Sequence, residues 1–493
     1  MKRITKILFI ILLTHFHSYP QGQDKMWLMG YDCCYPGLFY GMNWNFNSGS
    51  LVIDTINRGM NFSETNGIMC DEYGNLLFYS NGAYVANALN DTMLNGNGLN
   101  PSDFTTSHSQ LGLTIPQANL IIPFPDDSTK YYLFHETIDE RPFTYASHYL
   151  YYSIIDMNLD SGRGGVIQKN TVLLNDSLVP GRITACKHAN GRDWWVFAHQ
   201  LYSGIMYKWL ITPSGIQGSL VQDLFTWRDI YVGQNLFSPD GSEYAYYEPY
   251  GDLDIWDFDR CTGDFSNLVH IDINDSAILG GLAFSRSGRY LYVTSNTFIY
   301  QFDMQAPNIQ LSQTTVAVWD HFYSHGYAAD FYLAALAPND KIYINCGNST
   351  TEMHVINYPD SAGLACDVCQ HCVSLPAFNA FTIPNFPNYF LGAEGGTLCD
   401  SLPTEVRPQV LRKEELELFP NPVRNLLYIT TGRFTTWSEI LIFNIFGQQV
   451  SVPIHEIKNG EYQEINTSSL TPCVYFLELK SGMGKVVKRF VKE

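Results

Sequence analysis

The chain of 493 residues carries 29 lysines and arginines against 48 aspartates and glutamates, a formal charge of −19, and 14% of its residues are aromatic. A surface this acidic repels nucleic acid and anionic membranes, which excludes both as expected partners. The excess sits in the middle, where fifteen basic residues face thirty-eight acids, while residues 403–493 hold eleven against ten.

The first predicted element is an export signal. Lys2, Arg3 and Lys6 precede an apolar run from Ile7 to Leu13, and polar or turn residues follow from Ser18 to Gln23. That order reads as a secretory signal peptide over residues 1–22, with cleavage between residues 18 and 23. The run is too short to span a bilayer, and no later stretch approaches the roughly eighteen apolar residues that spanning needs. No transmembrane segment is therefore expected in the mature protein, and the absence of a cysteine at the cleavage point argues against a lipoprotein anchor.

From residue 24 the chain repeats itself. CDEYGNLLFYSNG (Cys70 to Gly82), FPDDSTKYYLFHE (Phe124 to Glu136), CKHANGRDWWVFAHQ (Cys186 to Gln200), FSPDGSEYAYYE (Phe237 to Glu248), FSRSGRYLYVTSN (Phe284 to Asn296) and APNDKIYINCGN (Ala337 to Asn348) share one form. Each is a short strand, a tight turn of Asp, Asn, Pro, Ser or Gly, and an alternating aromatic or β-branched strand. Turns near 74, 127, 191, 240, 287 and 339 are spaced by 53, 64, 49, 47 and 52 residues. A period near fifty built from strands alone is that of propeller blades, each a four-stranded antiparallel sheet.

One blade reads out completely: Leu236-Phe237, a turn at Ser238-Pro239-Asp240-Gly241, Tyr244 to Tyr247, a turn around Gly251, Leu253 to Phe258, a turn at Cys261-Thr262-Gly263, and Leu268 to Ile271. The FSPDG turn is similar to PD40 and YVTN-type repeats, and Ile255-Trp256-Asp257 looks like the Trp-Asp end of a WD40-like strand. About seven such blades fill residues 24–398. The aromatic content fits wedge-shaped sheets packed face to face. The run NFPNYFLG (Asn385 to Gly392) and the stretch after Gly363 are expected to form the closing blade.

Ten of the eleven cysteines lie in this middle, an even number that suits disulfides in an exported chain. Cys366, Cys369 and Cys372, with Cys399 further on, have a spacing seen in metal and iron–sulfur sites, but the compartment is oxidising and no second close pair or histidine set completes a zinc pattern. No metal or cofactor is assigned.

Catalytic candidates are scattered: His135 and Glu136, His188 beside Arg192 and Asp193, His199, and His321 with His325. None stands in a motif with its own mechanics, and a histidine at a strand end is expected to be a hydrogen-bonded structural residue. Asp252, Asp254, Asp257 and Asp259 alternate along one strand and are read as solvated acids, because they lack the glycine and spacing of a calcium loop.

After a linker at 399–414, residues 415–493 form a second small β-domain. ELFPNPVRNLLYI (Glu417 to Ile429) sets a rigid Pro420-Asn421-Pro422 turn before an alternating strand. EILIFNIFGQQV (Glu439 to Val450) is a strand broken at Gly447, Asn459-Gly460 is a hairpin turn, and VYFLELKSGMGKVVKRFVKE closes the chain as two strands around Gly482 and Gly484. This order closely resembles the C-terminal sorting domain, type A, of cargo of the type IX secretion system of Bacteroidetes-like bacteria. The matching residues are Pro420, Asn421, Pro422, Gly447, Lys488, Arg489, Phe490, Val491 and Lys492. Where that family usually has a glycine before the Val474 strand, this chain has Pro472-Cys473.

The resemblance implies an Ig-like β-sandwich, passage through the periplasm, recognition by the type IX machinery, and a secreted or cell-surface protein whose tail does no chemistry itself. In the same way GNLLFYSNG, HANGRDWW and PNFPNYFLG resemble a set of exported propeller proteins that carry this sorting domain, which implies architecture and export and no activity. The expected role is a binding module for a glycan or a protein. A propeller-type glycan hydrolase or lyase and a structural part of surface or gliding assemblies are the alternatives, and no enzyme is assigned.

Overall fold

The computed structural model describes residues 22–31, 38–141, 144–230, 232–397, 399–400, 417–430, 439–444, 448–456, 463–481 and 484–493. The expected signal peptide as far as residue 21, the expected linker from residue 401, Gly447 and the expected Asn459-Gly460 turn lie outside the described residues. The chain divides into two compact units, Met1–Ser401 and Leu402–Glu493.

Unit 1 is an all-β propeller whose strands make seven blades among the described residues. Blade 4 (Thr184–Lys187 to Gly215–Asp223), blade 5 (Gln234–Phe237 to Asp264–Ile271), blade 6 (Gly280–Phe284 to Thr314–Val318) and blade 7 (Ala334–Leu336 to Val368–Asn379) are four-stranded antiparallel sheets in sequence order. Blade 2 (Gly67–Cys70 to Thr92–Asn97) and blade 3 (Asn119–Phe124 to Gly165–Leu178) are joined into one nine-stranded sheet, because Thr92–Asn97 pairs in parallel with Gly165–Leu178 and the short strand Asp139–Arg141 adds to blade 3. Blade 1 has three strands, Met26–Gly30, Gly41–Asn45 and Val52–Ile56. Blade 5 has the four strands its sequence predicts, its outer strand beginning earlier at Asp264.

Burial falls from the axis outward, and the residues follow it. The inner strands GIMC and GGLAF are buried at every position, whereas the outer strand GIQGSLVQD of blade 4 has no buried residue. Between blades 4 and 5 the aromatics Trp195, Phe197, Tyr244, Tyr246, Trp256, Phe258 and Phe265 fill the widening gap. Each such side chain removed from water stabilises by about 1.5–3 kcal/mol.

The recurrent turns are built from side chains as well as backbone. In Ser238-Pro239-Asp240-Gly241, Asp240 Oδ1 accepts from the Ser238 hydroxyl at 2.6 Å and from the Ser242 N–H at 3.0 Å. Gly241 has φ +77°, and a Cβ there would stand 2.9 Å from Cys186 Sγ and Arg260 Cδ, so only glycine fits.

The run expected to close the propeller as a strand does something else. The stretch after Gly363 supplies the outer strand of blade 7, but residues 385–392 contain no strand. The chain from Phe381 to Phe390 instead runs among the inner strand ends. Phe381 N–H donates to Ser63 O at 3.1 Å, Asn385 Nδ2 donates to the carbonyls of Asn119 and Ile183 at 3.0 and 3.1 Å, and Tyr389 OH donates to Ile121 O at 2.9 Å. Prolines at 384 and 387 remove two backbone donors, which suits a segment bonded through side-chain amides and not through a ladder. Gly392 O then accepts from Arg260 Nη2 at 2.6 Å, and a disulfide joins Cys399 to Cys261 of blade 5.

Unit 2 is a β-sandwich. One sheet pairs Glu417–Phe419, Leu426–Thr430, Gln463–Asn466 and Ile454–Glu456; the other pairs Gln449–Val450, Glu439–Asn444, Cys473–Ser481 and Gly484–Lys492. Val423, Leu427, Ile429, Ile442, Ile465, Tyr475, Leu477 and Phe490 form its core.

Candidate functional site

Strand-to-strand connections of alternate kind lie on opposite faces of a propeller. The recurrent Asp/Gly turns occupy one face; the other carries the links between blades and the middle hairpin loops. On that second face the interior is charged. Arg182, Arg228, Glu64, Glu136 and Glu248, drawn from different blades and links, are all buried. Burial pushes the carboxyls of Glu64 and Glu248 up to about 7, against the pull of Arg182 and Arg228, and pushes Glu136 well above the carboxylate range. Tyr332 donates to Glu64, and the Gly181 N–H donates to Glu136. Side-chain amides cross the axis: Gln117 Nε2 donates to Asn235 O at 2.8 Å and to Asn385 Oδ1 at 3.1 Å, and Gln234 Nε2 reaches Ala334 O at 2.8 Å. Gln117, Gln234, Ala334 and Asn385 line a cavity of about 130 Å³ with Arg286, Pro384 and Phe386.

Beside this network a cleft of about 540 Å³ opens over blade 5, lined by Phe225, Trp227, Asp229, Glu248, Tyr250, Asp252, Asp254 and His270 among others. Its rim is aromatic and wet, with Phe225 87% exposed, Trp227 64% and Tyr250 58%. Tyr202 stands against Trp227 with ring centroids 6.0 Å apart. Its floor is ionic. Arg228 Nη2 donates to Asp254 Oδ2 at 2.8 Å, both side chains 1% exposed, and the guanidinium lies 3.9 Å from the Tyr246 ring centroid. His270 Nδ1 donates to Asp254 Oδ1 at 2.7 Å, which raises the imidazole pKa and turns Nε2 toward Asp272 Oδ1 at 3.3 Å.

Such a site offers flat apolar faces at the rim and the carboxylates of Asp229 and Asp252 as acceptors below, since both oxygens of Asp254 are already bonded. Asp252, His270 and Asp272 place one ligand atom each within 4.8 Å of one another, the only such metal-capable group among the described residues. Two of the three are exposed, a proton on His270 satisfies the same acids, and no metal is assigned.

Of the sequence candidates, Glu136 belongs to the charged network and Asp252 and Asp254 to the cleft, while the histidines singled out in the sequence fall elsewhere. His135 is fully buried between Asn100 Oδ1 (2.7 Å) and Ser153 Oγ (2.9 Å), and burial holds its pKa down to about 3. His188 accepts from the Asn190 N–H and contacts Cys261 O within an Asp/Gly turn, where Arg192 bonds Asp193. His199 is buried against the Tyr244 hydroxyl at 2.7 Å. His321 packs on Trp319, and His325 on Phe378. The four aspartates do not act as one solvated row: Asp254 is buried and paired, Asp252 borders the cleft, Asp257 bonds Asn267 Nδ2 at 2.6 Å, and Asp259 caps the Cys261 N–H at 2.7 Å. Of the four sulfurs spaced like a metal site, Cys369 and Cys372 bond each other, Cys399 bonds Cys261, and Cys366 is a buried free thiol.

Sequence reasoning passed over Phe225, Trp227, Tyr250 and His270. The available signal was LFTWRDIY (Leu224 to Tyr231), an aromatic and charged run between strands where alternation is absent.

In unit 2 the residues expected to carry the export signal come together from both ends of the unit. Val423 and Lys492 form a parallel bridge, Val423 N–H donates to Val491 O at 2.7 Å, and Asn421 Nδ2 donates to Arg489 O at 3.3 Å. Phe490 is buried on Tyr475, while Pro420, Asn421, Pro422 and Arg489 face solvent.

Residues 417–493 match the family described as secretion system C-terminal sorting domain. No curated protein matches the chain. Among solved structures, a functionally unknown protein from Desulfotomaculum acetoxidans DSM 771 is similar at 12% identity over 72% of this chain and 98% of that one, TM-score 0.38. A gluconolactonase from Xanthomonas campestris is similar at 12% over 65% and 94%, TM-score 0.30. A quinonprotein alcohol dehydrogenase-like protein from Bacteroides thetaiotaomicron is similar at 11% over 72% and 75%, TM-score 0.34.

Proposed function

We propose that the protein is a type IX secretion cargo whose propeller, residues 24–398, binds a glycan at the cell surface or in the medium. The sorting domain supports the export route. Its motif order supports the type A form, with residues 415–493 as the signal that the machinery handles. Deleting residues 415–493 should leave a folded propeller in the periplasm; normal surface levels of the truncated protein would refute this.

One observation carries the binding role: Phe225, Trp227 and Tyr250 stand exposed on the rim of a cleft whose floor is Asp252, Asp254 and His270. Pyranose C–H faces stack on exposed aromatic rings, and their hydroxyls donate to carboxylates, so the two halves of the cleft match the two halves of a sugar. The cavity among the axis residues is about 130 Å³ against about 540 Å³ for this cleft, which makes the cleft the larger of the two. The test is a glycan array read with the secreted protein, followed by Trp fluorescence titration of any hit. Absence of binding across the array, with protein ligands captured instead, overturns the reading.

A second reading, a glycan hydrolase, has one observation in its favour. Glu248 lines the cleft with its pKa pushed up to about 7 by burial, as a general acid requires, and unburied Asp252 stands near it. Turnover of an array hit that Glu248→Gln abolishes while binding persists would favour this second reading.

A further inference from the structure

We propose that the Cys369–Cys372 pair on the outer strand of blade 7 is a solvent-facing redox centre that exchanges with thiols, while Cys261–Cys399 remains the structural bond. The pair is Cys369-Gln370-His371-Cys372, the two-residue spacing used where a disulfide must open and close. The stabilisation a cross-link gives through the unfolded chain grows with the logarithm of the loop it closes. The two bonds close loops of sequence separation 3 and 138, so the fold depends least on the first and most on the second.

Position agrees with that division at one sulfur: Cys372 is exposed on an outermost strand, whereas Cys369, Cys261 and Cys399 are half-buried. Cys70, Cys186, Cys346 and Cys366 are buried free thiols. Burial pushes Cys186 and Cys346 up to about 12, which keeps them protonated and unreactive.

The loop between the two sulfurs is held by contacts other than the bond. Gln370 Nε2 donates to Val318 O at 2.8 Å, and its Oε1 accepts from the Asp320 N–H at 3.1 Å. His371 N–H donates to His354 Nδ1 at 3.0 Å, its Nε2 lies 2.9 Å from Asp320 Oδ2, and its ring stacks on Phe322 at 4.2 Å. Both spacer residues are thus fastened to the link between blades 6 and 7. Opening the bond leaves the two thiols where they can close again.

The exchange balances with a small thiol as reductant. A thiolate RS⁻ attacks the exposed Cys372 Sγ, the Cys369–Cys372 bond breaks, and Cys369 leaves as a thiolate that takes a proton from water. A second RS⁻ attacks the external sulfur of the mixed disulfide, RSSR forms, and Cys372 leaves and is protonated. Two electrons enter the pair and two RSH become RSSR.

The test uses the full secreted protein under native conditions, with reduced glutathione, timed alkylation and peptide mass mapping. Cys369 and Cys372 should be trapped at least about 10-fold faster than Cys261 and Cys399, since exposure governs access. The near-UV circular dichroism should be unchanged, and oxidised glutathione should restore the bond. Cys369→Ser with Cys372→Ser should remove the two fast thiols. Equal rates for the two bonds, or loss of the near-UV signal when the pair opens, overturns the proposal.

Discussion

The N–H of Val491 donates to Asn421 Oδ1 at 2.9 Å, so a side chain at one end of the sorting domain holds the backbone at the other, 70 residues away. The same amide donates to Arg489 O, and the two bonds lock the exposed Pro420-Asn421-Pro422 turn beside the terminal strand. Asn421→Ala should weaken the tail by about 0.5–1.5 kcal/mol and expose the amides of Val423 and Val491 to hydrogen exchange. The fraction of protein outside the cell should fall with it. Normal export with unprotected amides would separate recognition from this clamp.

Asp254 is the hinge of the cleft floor. Asp254→Ala leaves the buried Arg228 guanidinium without its carboxylate, which should cost about 3–5 kcal/mol in urea unfolding. Arg228→Met added to it should recover much of that loss, since no buried charge then remains unpaired.

Trp227 behaves oppositely. Because its ring is mostly exposed, Trp227→Ala should change stability by no more than about 0.5 kcal/mol. Glycan affinity should drop by about 10-fold, the loss of one stacking face. Equal affinity in titration would place the ligand elsewhere.

Glu64 makes stability depend on pH. Its carboxyl rises on folding from the usual 4.5 to about 7, so the native state binds more protons than the unfolded chain between those values. Its contribution is therefore greatest below pH 4.5 and is lost as pH rises through about 7, on the order of 3 kcal/mol across the window. Glu64→Gln should flatten that part of the stability curve. An unchanged slope between pH 5 and 7 would show that the carboxyl titrates normally.

Asn385 tests the amide bonds that cross the axis. Asn385→Ala leaves the Asn119 and Ile183 carbonyls without donors, and the propeller should lose about 2–4 kcal/mol. Calorimetry should show the propeller transition shifted and the tail transition unmoved.

Local rules carried most of the fold. The turn at Ser238 to Gly241, its recurrence and the alternating strands were legible because turn chemistry and side-chain period act within a few residues. Pro420, Asn421 and Pro422 were legible for the same reason. The path of residues 385–392 was not: PNFPNYFLG has strand-like composition, and only the ring of inner strands decides that its amides bond across the axis. Nor was the cleft. Phe225, Trp227, Tyr250 and His270 come from separate loops and a strand, and Asp254 is a paired floor residue only because Arg228 folds beneath it. The sequence by itself determined repeat, strand content and export tail, each a property of neighbouring residues. Tertiary structure alone decided which side chains share a cleft, because that depends on closing the sheets into a ring.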